Sequence, residues 1–330
     1  MQTRFTQLVG CKVPIQLAAM PAIGSPALVA AVAEAGGLGM VGVPTLPAEV
    51  VTALLADLRS RTTGAVGVNF LMPFLDRDVV AVAAGAARVV EFFYGEPERA
   101  LVDTVHRGGA LASWQVGSLA EARAAVDAGC DLVIAQGSGA GGHVRGQIGA
   151  LALLHEVLDA VSVPVLAAGG IATARDLAAV LAAGAAGARI GTRFLVSTES
   201  DAHPAYIDAL LRAGAEDTVL TEAFAAELPN APHRVLRSSI AAATALPQEL
   251  AGEVDWGGQA MPIPRFGVFA PTVQTRGAID AMALYAGESV ERIASVEPAG
   301  AIVDELVRGA EARLAASGRS AASIARSISS

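Results

Sequence analysis

The chain has 330 residues, 53% of them hydrophobic but only 4% aromatic, with 35 glycines. That length suits one barrel of about 250 residues plus an extension. A core built mostly of Ala, Val and Leu, broken often by Gly, fits short parallel strands covered on both faces better than an all-β sandwich. The net charge of −9 supplies no basic surface for nucleic acid. Although the mean hydropathy is +0.50, the long uncharged stretch between Lys12 and Glu34 is interrupted by Pro14, Pro21 and Pro26, so it does not read as a membrane span. The first residues lack a basic start followed by an apolar core, and a cytoplasmic protein is expected. Cys11 and Cys130 are too few for a disulfide framework and read as small buried thiols.

In chain order, apolar runs alternate with Ala-rich amphipathic stretches. Strands are expected at 14–19, 38–43, 64–70, 88–93, 110–115, 131–136, 163–168 and 187–191, with helices at 25–36, 47–60, 97–107, 118–128, 147–160 and 173–184 between them. Ser118 with Glu121, and Thr173 with Asp176, have the spacing of capping boxes. AEAGG, VDAGC and LAAGA put Gly just after a helical run, where a helix ends. Eight such units favour an α/β fold, a (β/α)8 barrel, over an open doubly wound sheet. Residues 1–199 are read as the barrel. Residues 200–284, containing WGGQAMPIPRFG, are read as a helical and irregular segment covering the active site. Residues 285–330 are read as a C-terminal helix, around 297–316, that closes the barrel and precedes a fraying tail, RSAASIARSISS.

In such a barrel the chemistry collects at the C-terminal ends of the strands. There the chain carries Ala19-Met20-Pro21, Asn69-Phe70, a glycine loop from Gln136 to His143, Gly169-Gly170 and Gly191-Thr192. The last two glycine turns each lead into a helix and expose backbone N–H groups able to bind a phosphate. Asn69 offers an amide edge, Met20 a flexible apolar face, and Gly141 and Gly142 a close backbone approach. His143 arrives directly after them, able to exchange a proton near neutrality or to face an anion. The plainer readings are ordinary core for Met20, a turn former for Asn69, simple turns for the glycines and a backbone-bonded loop histidine for His143. His106, His155, His203 and His233 lie on helices or in the extension. No His or Cys pair stands at metal-ligand spacing, so no metal site is expected.

An apolar first strand ending in Ala-Met-Pro, GVNF, QGSGAGGH, AAGGIAT, IGTRF and LYAG, in that order, together resemble the nitronate monooxygenase (2-nitropropane dioxygenase) family of FMN-dependent barrels. The resemblance implies non-covalent FMN held by Ala19, Met20, Asn69, Gln136, Gly141, Gly142, Gly169, Gly170, Arg189, Ile190, Gly191 and Thr192. It also implies His143 as the catalytic residue and Phe70, Pro73 and Phe74 as substrate-pocket wall. The implied activity is oxidation of alkyl nitronates, or their parent nitroalkanes, with O2 to a carbonyl compound and nitrite. An FMN-dependent NAD(P)H:quinone or enoyl-thioester reductase is the alternative, and a non-catalytic flavin binder is a third reading. An IMP-dehydrogenase-like enzyme would need a Cys after strand six, whereas Cys130 precedes it. The partners expected are a small-molecule substrate and O2, or NAD(P)H, with no nucleic acid and no membrane; a homodimer is the candidate assembly. Two positions depart from the family pattern. Gly139 stands where many relatives carry Glu, and Arg189 where Gln is frequent.

Overall fold

The computed structural model describes residues 1–328, and side-chain surroundings through residue 317. Eight apolar runs form the parallel strands β1 (Ile15–Leu17), β2 (Leu38–Gly42), β3 (Ala65–Leu71), β4 (Val89–Phe93), β5 (Leu111–Val116), β6 (Leu132–Gln136), β7 (Val165–Ala168) and β8 (Gly187–Ile190). They close into one barrel in chain order, with β8 pairing back onto β1 through Gln16 opposite Arg189. The fold is therefore the (β/α)8 barrel that the alternation implied.

Helix α1 (Arg4–Val9) precedes β1, and α2 (Pro26–Glu34), α3 (Ala48–Arg61), α4 (Arg77–Ala84), α5 (Arg99–Gly108), α6 (Leu119–Ala128), α7 (Ala150–Ala160) and α8 (Ala174–Ala182) follow β1 to β7 in turn. After β8 come a single turn, α9 (Thr192–Leu195), then α10 (Pro204–Arg212) and α11 (Arg237–Ala245) in the extension, and finally α12 (Ala299–Ile328). Helix α12 packs on α8 and α2, which makes it the eighth helix of the outer ring, reached only after a hundred-residue excursion. It runs past the end expected near 316; the last two residues of the tail expected to fray lie outside the described residues.

Local chemistry explains the boundaries. The Thr173 hydroxyl accepts the Asp176 N–H, and Asp176 answers the Thr173 backbone N–H at 2.9 Å, a complete capping box. At α6 only half of that box forms. Ser118 accepts from Glu121 N–H, but the Glu121 carboxylate is drawn away to the Gly117 N–H and to Arg145.

Strand alternation divides the core in two. Val68, Phe70, Val90, Phe92, Trp114 and Ile190 point outward, into the layer between sheet and helices. Leu38, Met40, Val89, Leu132, Ile134 and Leu166 fill the lower lumen, and Phe5 and Val9 of α1 plug its end.

The segment 200–284 is not only helical and irregular. Strands β9 (Thr218–Thr221) and β10 (His233–Leu236) pair with each other, and β10 pairs on its other edge with a two-residue strand, Gly142–His143, from the loop after β6. Strands β11 (Leu250–Trp256), β12 (Gln259–Pro264) and β13 (Thr275–Gly277) form a second small sheet. The Gly257-Gly258 pair in WGGQ, with φ of 63° and 86°, is the two-residue turn joining β11 to β12.

Candidate active site

The upper lumen is polar. Side chains from β1, β3, β4 and β8 meet across the barrel on one carboxylate, Glu91, which is 0% exposed. It accepts from Gln16 Nε2 at 2.7 Å and Asn69 Nδ2 at 2.8 Å, and forms an ion pair with Arg189 Nη1. Gln115 and Gln136 complete this layer, each with a buried Oε1 that has no protein donor. Buried acceptors of that kind call for a partner.

Above the layer lies a cavity of about 860 Å³ at the C-terminal ends of the strands. Its wall includes Ala19, Met20, Asn69, Gln136 and Arg189 from the strand ends, and Gly141, Gly142 and His143 from the loop after β6. Gly169, Gly170, Gly191, Thr192 and Phe74 also reach it. Three candidates do not. Phe70 follows inward-facing Asn69, so the two-residue period turns it outward, where it is 3% exposed and its ring lies 6.1 Å from that of Phe92. Ile190, next to inward-facing Arg189, packs in the same outer layer. Pro73 sits on the solvent side of the turn after β3. The pocket wall assigned to Phe70 and Pro73 is corrected accordingly, and of that trio only Phe74 faces the cavity.

The glycine loop is clamped from three sides. Gln136 Nε2 donates to the His143 carbonyl at 2.9 Å, and Arg234 on β10 donates to the Ser138 carbonyl through Nε at 3.1 Å and Nη2 at 3.0 Å. Gly141 presses against Ala286 and Gly287 of the LYAG segment; a Cβ there would lie 2.5 Å from the Gly287 nitrogen. At Gly139 the space for a side chain is taken by Glu288, whose carboxylate oxygen would be 2.4 Å from a Cβ, while its other oxygen lies 3.2 Å from Arg234. Glu288 therefore occupies the space that a side chain at 139 would need.

His143 is held by the β10 pairing, directly opposite His233. Its ring lies 5.6 Å from Tyr94, 5.5 Å from His233 and 5.7 Å from Tyr285, centroid to centroid. Its Nε2 is buried without a protein partner. Burial, reinforced by His233, lowers its pKa from 6.5 to about 4, so the imidazole is neutral around pH 7. His233 is fixed by the backbone. It receives the Phe224 N–H on Nε2 at 3.1 Å, which requires Nδ1–H to donate to the Ala231 carbonyl at 2.8 Å. Burial holds its pKa down as well. Sequence reasoning passed over Glu91, His233, Tyr94 and Tyr285. Tyr285 alone carried a signal, as part of LYAG.

The residues suit a flavin. The orphaned Oε1 atoms of the cavity-lining Gln115 and Gln136 and the Arg189 guanidinium offer acceptors and donors for the heteroatom edge of an isoalloxazine. Gly170, at φ 75°, has nothing within 4 Å of where a Cβ would stand. Thr192 Oγ1 accepts the Gly287 N–H at 3.1 Å, which leaves its hydroxyl hydrogen free to donate.

The nitronate monooxygenase family model matches residues 2–78 and 74–309. The chain is 34% identical over 245 residues, 73% of its length and 67% of the relative's, to (3aS,4S,5R,7aS)-5-hydroxy-7a-methyl-1-oxo-octahydro-1H-indene-4-carboxyl-CoA dehydrogenase of Mycobacterium tuberculosis. It is 28% identical to a probable nitronate monooxygenase of Staphylococcus aureus over 274 residues, covering 69% of this chain and 77% of the relative. Among solved structures, FabK from Thermotoga maritima superposes with a TM-score of 0.80 at 30% identity, covering 95% of this chain and 97% of that one. Nitroalkane oxidase from Streptomyces ansochromogenes gives 0.73 at 31%, covering 95% and 99%. Fold, site and relatives define a barrel oxidoreductase of the flavin-dependent kind. The chain belongs to the nitronate monooxygenase family. Among the described residues no helix is long and apolar enough to cross a membrane.

Proposed function

We propose that the protein binds FMN non-covalently and oxidises alkyl nitronates, and the nitroalkanes that give rise to them, with O2 to carbonyl compounds and nitrite. The observation that carries this reading is His143: a neutral imidazole with a free, buried Nε2 on the wall of a cavity whose floor is polar. Bound FMN supplies the electron-accepting chemistry. Asn69, Gln115, Gln136 and Arg189 would hold its heteroatom edge, Met20 would pack against the ring, and Gly170 and Thr192 would support the single phosphate.

His143 is the base. Being neutral, it is ready to accept the proton on the carbon beside the nitro group. The imidazolium and nitronate so formed stabilise each other in a poorly hydrated site. Presenting a standing positive charge to an anion fits less well, because burial opposes the charged ring before a ligand arrives. The rings of Tyr94, His233 and Tyr285 pack around the His143 ring and hold it in place.

A second reading, a reductase acting on a thioester, is favoured by the names of the mycobacterial dehydrogenase and FabK. The ionic groups lining the cavity speak against it. They are Asp201, Glu227 and Arg189, the last already paired with Glu91, so beyond the glycine turns assigned to one phosphate the unpaired charges of the lining are carboxylates, which favour an uncharged substrate body over an anionic one.

Denaturation is expected to release FMN, identified by mass; recovery of FAD, or a protein that takes up neither, refutes the cofactor. With the holoenzyme, His143→Ala is expected to retain flavin and lose about 10²–10⁴-fold in nitroalkane turnover, while a preformed nitronate suffers less. Equal activity of wild type and variant removes His143 from the mechanism. Rapid anaerobic reduction by NADH without nitronate oxidation transfers the function to the reductase reading.

A further inference from the structure

The cavity has two chemically different ends. Its floor is the polar layer around Arg189, whereas its mouth is walled by the β11–β12 hairpin and the chain that follows it. In the hairpin register Val254 stands opposite Met261, and Trp256 follows two residues after Val254. One face of the hairpin therefore carries Val254, Trp256, Met261 and Ile263, all lining the cavity. Val254 and Ile263 are anchored in a small core with Met282, at 4% and 3% exposure. Trp256 and Met261 instead stand 49% and 50% exposed. Large apolar side chains left half in water on a pinned hairpin over a cavity mark a surface waiting for an apolar ligand. The charged groups at this end are carboxylates, Asp201 and Glu227, the latter fixed by the Val268 N–H at 2.8 Å.

We propose that the hairpin face of Val254, Trp256, Met261 and Ile263 is a substrate subsite for an uncharged hydrocarbon portion, so that the enzyme prefers nitro compounds with a long or bulky apolar body over short nitroalkanes and over anionic acyl thioesters. The reaction assigned to such compounds rests on the function proposed above; the chemistry of the subsite does not. Hydrocarbon enters because each methylene leaving water gains free energy, and anions are repelled by two carboxylates that no lining cation offsets.

Two measurements on the holoenzyme separate the subsite from the reaction. In a series from nitroethane to 1-nitrooctane, kcat/KM is expected to rise by about 4-fold for each methylene placed on the hairpin, through KM and not kcat. Trp256→Ala and Met261→Ser are each expected to cut the octane-to-ethane ratio by about 10-fold. Independently of turnover, 1-decanol is expected to shift the Trp256 fluorescence at concentrations where decanoate and decanoyl-CoA do not, and Trp256→Phe abolishes that signal while leaving buried Trp114. Decanol binding without nitroalkane turnover keeps the subsite and discards the assigned reaction. A flat series, or tighter binding of decanoyl-CoA than of decanol, overturns the subsite. So does a Trp256→Ala protein that shifts from dimer to monomer in sedimentation with its chain-length profile intact, because the patch is then an interface between copies.

Discussion

Glu91 lies in the middle of an apolar run, VVEFF, and nothing within that run says what it binds. Its partners stand 75, 22 and 98 residues away, at Gln16, Asn69 and Arg189. Only closing the barrel brings them to one carboxylate. A buried carboxylate and guanidinium are costly to desolvate, and removing one partner leaves the other charge buried alone, at about 3–5 kcal/mol. Glu91→Gln is therefore expected to lower the urea midpoint sharply with little change in slope. The double variant Glu91→Gln with Arg189→Gln, which leaves no lone charge, is expected to recover most of that loss. If the single variant is as stable as the wild type, or the double variant no better than the single, the pair does not hold the lumen as described. Phe70 teaches a related lesson. Once Asn69 is assigned to the lumen, the two-residue period of a strand already excludes its neighbour, so this correction was available from the sequence.

At the scale of elements, the two glycine turns do different work. Gly170 has a left-handed backbone and open space where its side chain would project, whereas Gly141 lies against the backbone of the LYAG segment. Gly170→Val is expected to cost about 1–3 kcal/mol in backbone strain and to weaken flavin retention strongly, because the added methyls enter the space assigned to the phosphate. Gly141→Val is expected to lower Tm more, since the loop and residues 286–287 must separate. Flavin dissociation followed beside thermal unfolding distinguishes them. Unchanged flavin affinity in folded Gly170→Val moves the phosphate elsewhere. The eight strands and most outer helices were legible because each apolar run ends at a turn signal. The strands of the extension were not. The Gly-Gly turn in WGGQ was present, and so was the alternation of Val254 with Trp256 and of Met261 with Ile263 on its flanks, but Pro262 and Pro264 inside the second run argue against a strand.

Across the whole molecule, the buried histidines link stability to pH. His143 has a folded pKa near 4 against an ordinary value of 6.5, and His233 is displaced the same way. The unfolded chain therefore takes up protons at a higher pH than the folded one. The His143 contribution is fully present above about 6.5 and is lost as pH falls from there to about 4, and His233 acts in the same direction. The groups packed around the His143 ring are His233 and the neutral Tyr94 and Tyr285, so no carboxylate there reverses the sign. Tm measured from pH 7 to 4 is expected to fall less steeply for His143→Gln than for the wild type; parallel curves contradict a buried neutral imidazole. By itself the sequence determined the barrel, its family and the strand-end motifs, because periodicity, caps and glycine turns are local properties written in consecutive residues. Tertiary structure alone decided that Arg189 answers Glu91, that His143 stands against His233, and that Glu288 fills the place of a side chain at Gly139. Those pairings join residues 90 to 149 positions apart, and a contact of that span is fixed by closure of the barrel and by the return of the extension over its mouth.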